Sequence, residues 1–88
     1  MPTISSFFGI AIRMYYVDHP LPHIHASYAG DEATIDTRTG EVIEGYLPIA
    51  PARQVKQWTL IHVLELEANW ERARAKVPLV RITGLDAD

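Results

Sequence analysis

His23-Ile24-His25-Ala26-Ser27-Tyr28-Ala29-Gly30-Asp31-Glu32-Ala33-Thr34-Ile35-Asp36 decides the fold of this chain. Apolar and polar residues alternate on both sides of a glycine, the period-two pattern of two half-buried strands joined by a tight turn. Gly30-Asp31 suits a two-residue loop, because glycine at the first central position accepts the positive φ of a type II′ turn. Counting outward pairs Tyr28 with Ala33, Ser27 with Thr34, Ala26 with Ile35 and His25 with Asp36. Ile24, Ala26, Tyr28, Ala33 and Ile35 then share an apolar face, and His23, His25, Ser27, Thr34 and Asp36 a polar one.

Upstream, residues 10–16 also alternate. Ile10, Ile12, Met14 and Tyr16 fall on one side, and Ala11, Arg13 and Tyr15 on the other, so a third strand is expected there. The N-terminal residues 1–8 lack the basic and long apolar regions of a secretory signal and read as structure. Between the first strand and the hairpin, Pro20 and Pro22 restrict φ and remove two ladder donors, which makes residues 17–22 a stiff extended turn. Downstream, Arg38-Thr39-Gly40 fits a three-residue loop that pairs Ile35 with Ile43 and Thr34 with Glu44.

From about Pro51 the period lengthens. Val55, Trp58, His62, Leu66, Asn69 and Ala73 form one helical stripe, with proline near the start and Arg72, Arg74 and Lys76 complementing the dipole at the end. The expectation is an α+β domain over residues 1–88: an antiparallel β-meander of about four strands in a strand-rich 1–47, packed against a C-terminal helix over 51–76, bent or broken near Leu66. An extended segment follows at 78–85. Leu60, Ile61, Val63 and Leu64 lie outside the stripe and need a second cover. The N-terminal segment, a short strand at Val80–Ile82, or a dimer or partner interface would each supply it. His62, on the core stripe, reads as a satisfied interior histidine, and Trp58 and Trp70 read as packing.

Composition narrows the function classes. The 88 residues carry a formal charge of −3, so the chain has no global positive field to concentrate nucleic acid around it. Nucleic-acid binding would need a local patch. There is no cysteine, hence neither a disulfide framework nor a thiolate zinc site, and a reducing, cytoplasmic location is expected. No tract is long and apolar enough to suggest a membrane span. Phosphate-binding glycine loops, nucleophile elbows and cysteine-based sites are absent from the sequence.

Chemistry concentrates in Asp18-His19-Pro20-Leu21-Pro22-His23-Ile24-His25, which holds three of the four histidines. Histidine's unperturbed pKa lies closest to neutrality, so such a cluster suits proton transfer, metal binding or phosphate contact. With the sheet face beside it, the candidate surface comprises Arg13, Tyr15, His23, His25, Thr34, Asp36 and Glu44. In a catalytic reading, His25, oriented by Asp36, is the base, His23 or His19 the acid, and Arg13 the phosphate stabiliser. In a metal reading, His23 and His25 chelate a divalent ion such as zinc or nickel, with His19 or Asp18 as third ligand and Asp36 behind them. In the third reading the same residues shape a turn and cover a contact surface.

The motif at residues 18–25, with Pro2-Thr3-Ile4 and Gly9-Ile10 before it and Thr39-Gly40-Glu41-Val42 and the Trp58, His62, Glu65-Leu66 and Asn69-Trp70 helix after it, resembles a family of small bacterial proteins. That family is catalogued as a domain of unknown function with a typical Asp-His-x-Pro-Pro-His-Phe-His core. The resemblance implies a cytoplasmic α+β domain, encoded beside another small protein in toxin–antitoxin-like pairs. Leu21 replaces one of the paired prolines, and Ile24 the phenylalanine. Ile49-Ala50-Pro51 occupies a helix entrance that is often basic in relatives, which weakens a nucleic-acid role here. The expected function is therefore an interaction module with a protein partner encoded nearby or a second copy. The alternatives are a histidine-dependent endoribonuclease and a small metal-binding protein.

Overall fold

A computed structural model describes residues 3–15 and 21–86. Five strands, β1 (Thr3–Phe7), β2 (Ile10–Arg13), β3 (His23–Tyr28), β4 (Asp31–Asp36) and β5 (Val42–Gly45), precede two helices, α1 (Ile49–Ile61) and α2 (Val63–Arg74). The strands form one antiparallel meander in the order β1-β2-β3-β4-β5. This is the expected α+β architecture with one strand more, since Thr3–Phe7 pairs with β2.

Alternation puts Ile10, Ile12, Ile24, Ala26, Ala33 and Ile35 on a single side, all essentially without exposed surface. Val55, Trp58, Leu66, Trp70 and Ala73 of the helices complete the core with Phe7, Met14 and Ile82. The rings of Phe7 and Trp58 lie 5.5 Å apart. Burying large side chains stabilises a chain of this size by roughly 1.5–3 kcal/mol each, so the helix-covered face supplies most of the driving force.

The register of the central hairpin differs from the expected one by two residues. His25 lies opposite Thr34, and Asp36 lies opposite His23. The turn is Ala29-Gly30, with φ of 48° and 90°, in place of Gly30-Asp31. Both central residues take the positive φ of a type I′ turn, so the glycine sits second and alanine accepts a conformation it rarely adopts. A shift of two preserves which side each residue faces, and the two-face assignment survives intact. In the next hairpin Thr34 does pair with Glu44, but a bulge brings Ile35 opposite Val42, not Ile43. Gly40 turns with φ of 74°.

The helix starts at Ile49, two residues before the expected position, and breaks at His62 (φ −109°, ψ 26°), a turn before Leu66. His62 is satisfied but only partly buried, its side chain 15% exposed. Its ring rests on Trp58 at 5.3 Å and its Nδ1 meets the Glu65 carboxylate. Val80–Ile82 is not a strand. The segment is instead tied down singly: Ile82 N–H donates to Ile4 O, Trp58 Nε1–H to Thr83 O, and Asn69 both donates to Val80 O and accepts from Val80 N–H. It leaves Leu60, Ile61 and Leu64 exposed, so neither terminal segment covers that part of the helix pair. No helix among the described residues is long and apolar enough to cross a membrane.

Candidate functional site on the open sheet face

The sheet face away from the core is made by the other half of each alternation. Arg13 of β2 lies opposite His25 of β3, His25 opposite Thr34 of β4, and Thr34 opposite Glu44 of β5, a row running across four strands. Cross-strand neighbours of this kind sit within side-chain reach of one another. Arg13 Nη1 donates to Ser27 Oγ at 2.9 Å, which holds the guanidinium along the row.

Three rings cluster at the upstream end. Tyr15 meets His25 edge-on with centroids 4.5 Å apart, and His25 meets His23 at 5.3 Å, also edge-on. Edge-to-face contact sets the positive ring edge against the negative ring face. The two imidazoles differ sharply in surroundings. His23 is buried, packs against Trp70 of α2 at 5.2 Å, and its Nδ1 lies 2.9 Å from the carbonyl oxygen of Leu21. A carbonyl only accepts, so Nδ1 is the protonated nitrogen of that ring. His25 is half-buried and borders a shallow cavity of about 150 Å³ lined by Glu32, Thr34, Glu44 and Gly45. Its pKa falls below the ordinary 6.5, chiefly because burial disfavours the cation and secondly because His23 adds positive charge, against the opposing pull of Glu32 and Glu44. His25 is therefore predominantly neutral at pH 7.

Asp36 does not join this group. Its Oδ1 accepts from Arg38 N–H at 2.8 Å and lies 3.5 Å from Arg38 Nε, so the carboxylate closes the β4–β5 turn. The expected His25–Asp36 pair is replaced by His23 opposite Asp36, a direct result of the two-residue register shift. Asp18 and His19, expected as metal ligands, lie outside the described residues. Among the described residues no three histidine or carboxylate side chains gather in a way that could hold a metal ion. Glu32, which the expected register leaves beside the turn, borders the cavity with His25. Correct placement of the turn would have put it opposite Ser27. Nothing in the sequence pattern signals that Trp70 reaches His23.

The fold and this face define a class: a small α+β protein whose antiparallel meander is covered by helices on one side and presents a histidine-bearing polar row on the other. A family model described as "Domain of unknown function (DUF4160)" matches residues 9–71, and the chain belongs to that family. No curated protein and no solved structure matches it.

Proposed function

We propose that the protein is an interaction module whose open sheet face docks a protein partner encoded beside it, as one member of a toxin–antitoxin-like pair. The observation that carries this reading is the division of labour between neighbouring histidines. His23 is fixed by Leu21 O and Trp70, whereas His25 sits in a half-open row of Tyr15, Arg13, Thr34 and Glu44 with no hydrogen bond to its ring among the described residues. A row of mixed donors, acceptors and aromatic surface, free of a dominant charge, is the composition that protein interfaces favour. Asp36 is engaged in its turn, so the dyad needed for base catalysis by His25 lacks its orienting carboxylate.

Co-expression with the adjacent gene product tests this. The partner should co-purify with the wild-type protein and be lost from the Tyr15→Ala/His25→Ala double variant, whose melting temperature stays near that of the wild type. Retention of the partner by that variant would overturn the reading.

A histidine-dependent ribonuclease is the second reading, favoured by one feature: His25, held neutral, is the cross-strand neighbour of Arg13. A neutral imidazole beside a guanidinium has the chemistry for proton abstraction next to a phosphate. Purified protein that cleaves RNA, with cleavage lost in His25→Ala, would replace the binding role by this one.

A further inference from the structure

The two edges of the sheet are unlike. β1 is partly occupied, since Ile82 N–H donates to Ile4 O at 2.7 Å and Arg81 Nη1 reaches Thr3 O at 3.3 Å. Among the described residues no strand pairs with the outer edge of β5, and all four of its residues are exposed. An edge strand presents a row of backbone donors and acceptors to any extended chain that comes alongside. The strand contains neither proline nor lysine, two residues that commonly guard such edges.

Beside this edge lies a cleft of about 330 Å³ between the start of β5 and the first turns of α1. Val42, Leu47, Ile49 and Ala52 give it apolar walls, and Arg53 and Lys56 stand at its rim. Lys56 is already paired with Glu41. Arg53 is exposed and makes no ion pair among the described residues. The helix end adds to this charge. Pro48, the residue before α1, supplies no side-chain cap, and the first turn of the helix has no acidic residue. The N–H groups of Ile49 and Ala50 have no intrahelical acceptor, and the positive end of the helix dipole is uncompensated. Glu41 also lines the cleft and is neutralised by Lys56, so on a chain of net charge −3 the unpaired Arg53 leaves this apolar cleft one net positive charge.

We propose that the groove between β5 and α1 binds an extended peptide segment of apolar and acidic residues, added to the sheet as a sixth strand. Backbone hydrogen bonds to β5 supply the pairing. An apolar side chain enters the cleft between Val42 and Ile49, and a carboxylate faces Arg53 and the start of α1. Strand addition with a side-chain pocket between a strand and a helix is an established mode of peptide recognition. β5 is only four residues long and bulged, so the docked segment is short and its affinity depends on the charge contact. The groove meets the histidine row only at Glu44, which β5 contributes to that row, and its cleft is lined by none of the row's residues.

The test titrates the full chain, followed by backbone amide resonances, with a capped hexapeptide alternating valine and glutamate, and with its valine–lysine counterpart. The acidic peptide should shift the amides of Ile43, Gly45, Ile49 and Arg53 and bind at least about tenfold more tightly than the basic one, the scale of one charge-assisted hydrogen bond. Arg53→Glu, an exposed substitution, should reverse the preference. His25→Ala, which removes the histidine row, should leave peptide binding unchanged, so failure of this proposal is distinguishable from failure of the partner-docking one. Equal affinity for both peptides, or no saturable shift of β5 up to millimolar concentration, overturns it. So does concentration-dependent shifting of Ile43 in the free protein, which would make a second copy the occupant.

Discussion

Ile24 and His25 are adjacent in the chain and face opposite worlds. Ile24 is fully buried among Ile12, Ile35 and the helices, and His25 stands half-open between Arg13 and Thr34. The difference teaches that this small protein separates its tasks by strand parity. One side of the sheet holds the fold together, and the other is available to a partner at little cost in stability. Among the described residues His23 crosses the division, lying in the outward register yet buried against Trp70, and Val42 crosses it the other way, opposite buried Ile35 yet exposed.

Substitutions on the covered side should break this comparison most visibly. Trp58→Ala removes the largest fully buried side chain, its contact with Phe7 and its bond to Thr83 O, and should cost about 3–5 kcal/mol in urea unfolding. Gly45→Ala comes next, at the border between the two sides. A Cβ there would collide with the carbonyl oxygen of Glu32, at a φ of +83° that disfavours any side chain. Gly30→Ala meets open space at a φ of +90° and bears only the left-handed backbone cost, about 1–2 kcal/mol. Gly45→Ala should therefore be the more destabilising of the two, and equal losses would deny the close approach of β4 and β5.

The smallest effect belongs to the open side. His25 has a lowered pKa in the folded state, so near pH 6 the unfolded chain binds more protons than the folded one. Its contribution to stability is present above 6.5 and is lost as the pH falls from there through the folded pKa, below which the loss levels off. His25→Gln should flatten that part of the stability–pH curve. A curve of unchanged slope would mean that burial and His23 do not act on the ring as its position implies.

Much of this arrangement was legible in the residues. Period-two alternation over residues 23–36 put Ile24, Ala26, Ala33 and Ile35 on the covered face and His25, Ser27 and Thr34 on the open one, because one face had to be apolar. Of the helical stripe Val55, Trp58, His62, Leu66, Asn69 and Ala73, all but the partly buried His62 are buried. Register was not legible, since Ala29-Gly30 and Gly30-Asp31 both place a glycine in the turn and differ only in which partner tolerates positive φ. That ambiguity misplaced Asp36 beside His25 and hid Glu32. The helix break was displaced because His62 fits the apolar stripe, yet its backbone leaves the helical region at φ −109° and ψ 26°, with its ring bonded to Glu65 of the next helix. The role of Trp70 against His23 depends on where α2 lies after that break, which local periodicity does not encode.

The most direct test pairs Ile24→Ala with His25→Ala and measures unfolding free energy and partner affinity for each. Ile24→Ala should lose about 2–5 kcal/mol while the folded fraction still binds the proposed partner. His25→Ala should stay within about 0.5 kcal/mol of the wild type and bind at least tenfold more weakly. A His25→Ala protein that binds as tightly as the wild type, or that unfolds as readily as Ile24→Ala, would contradict the division of the sheet into a structural and a recognition face.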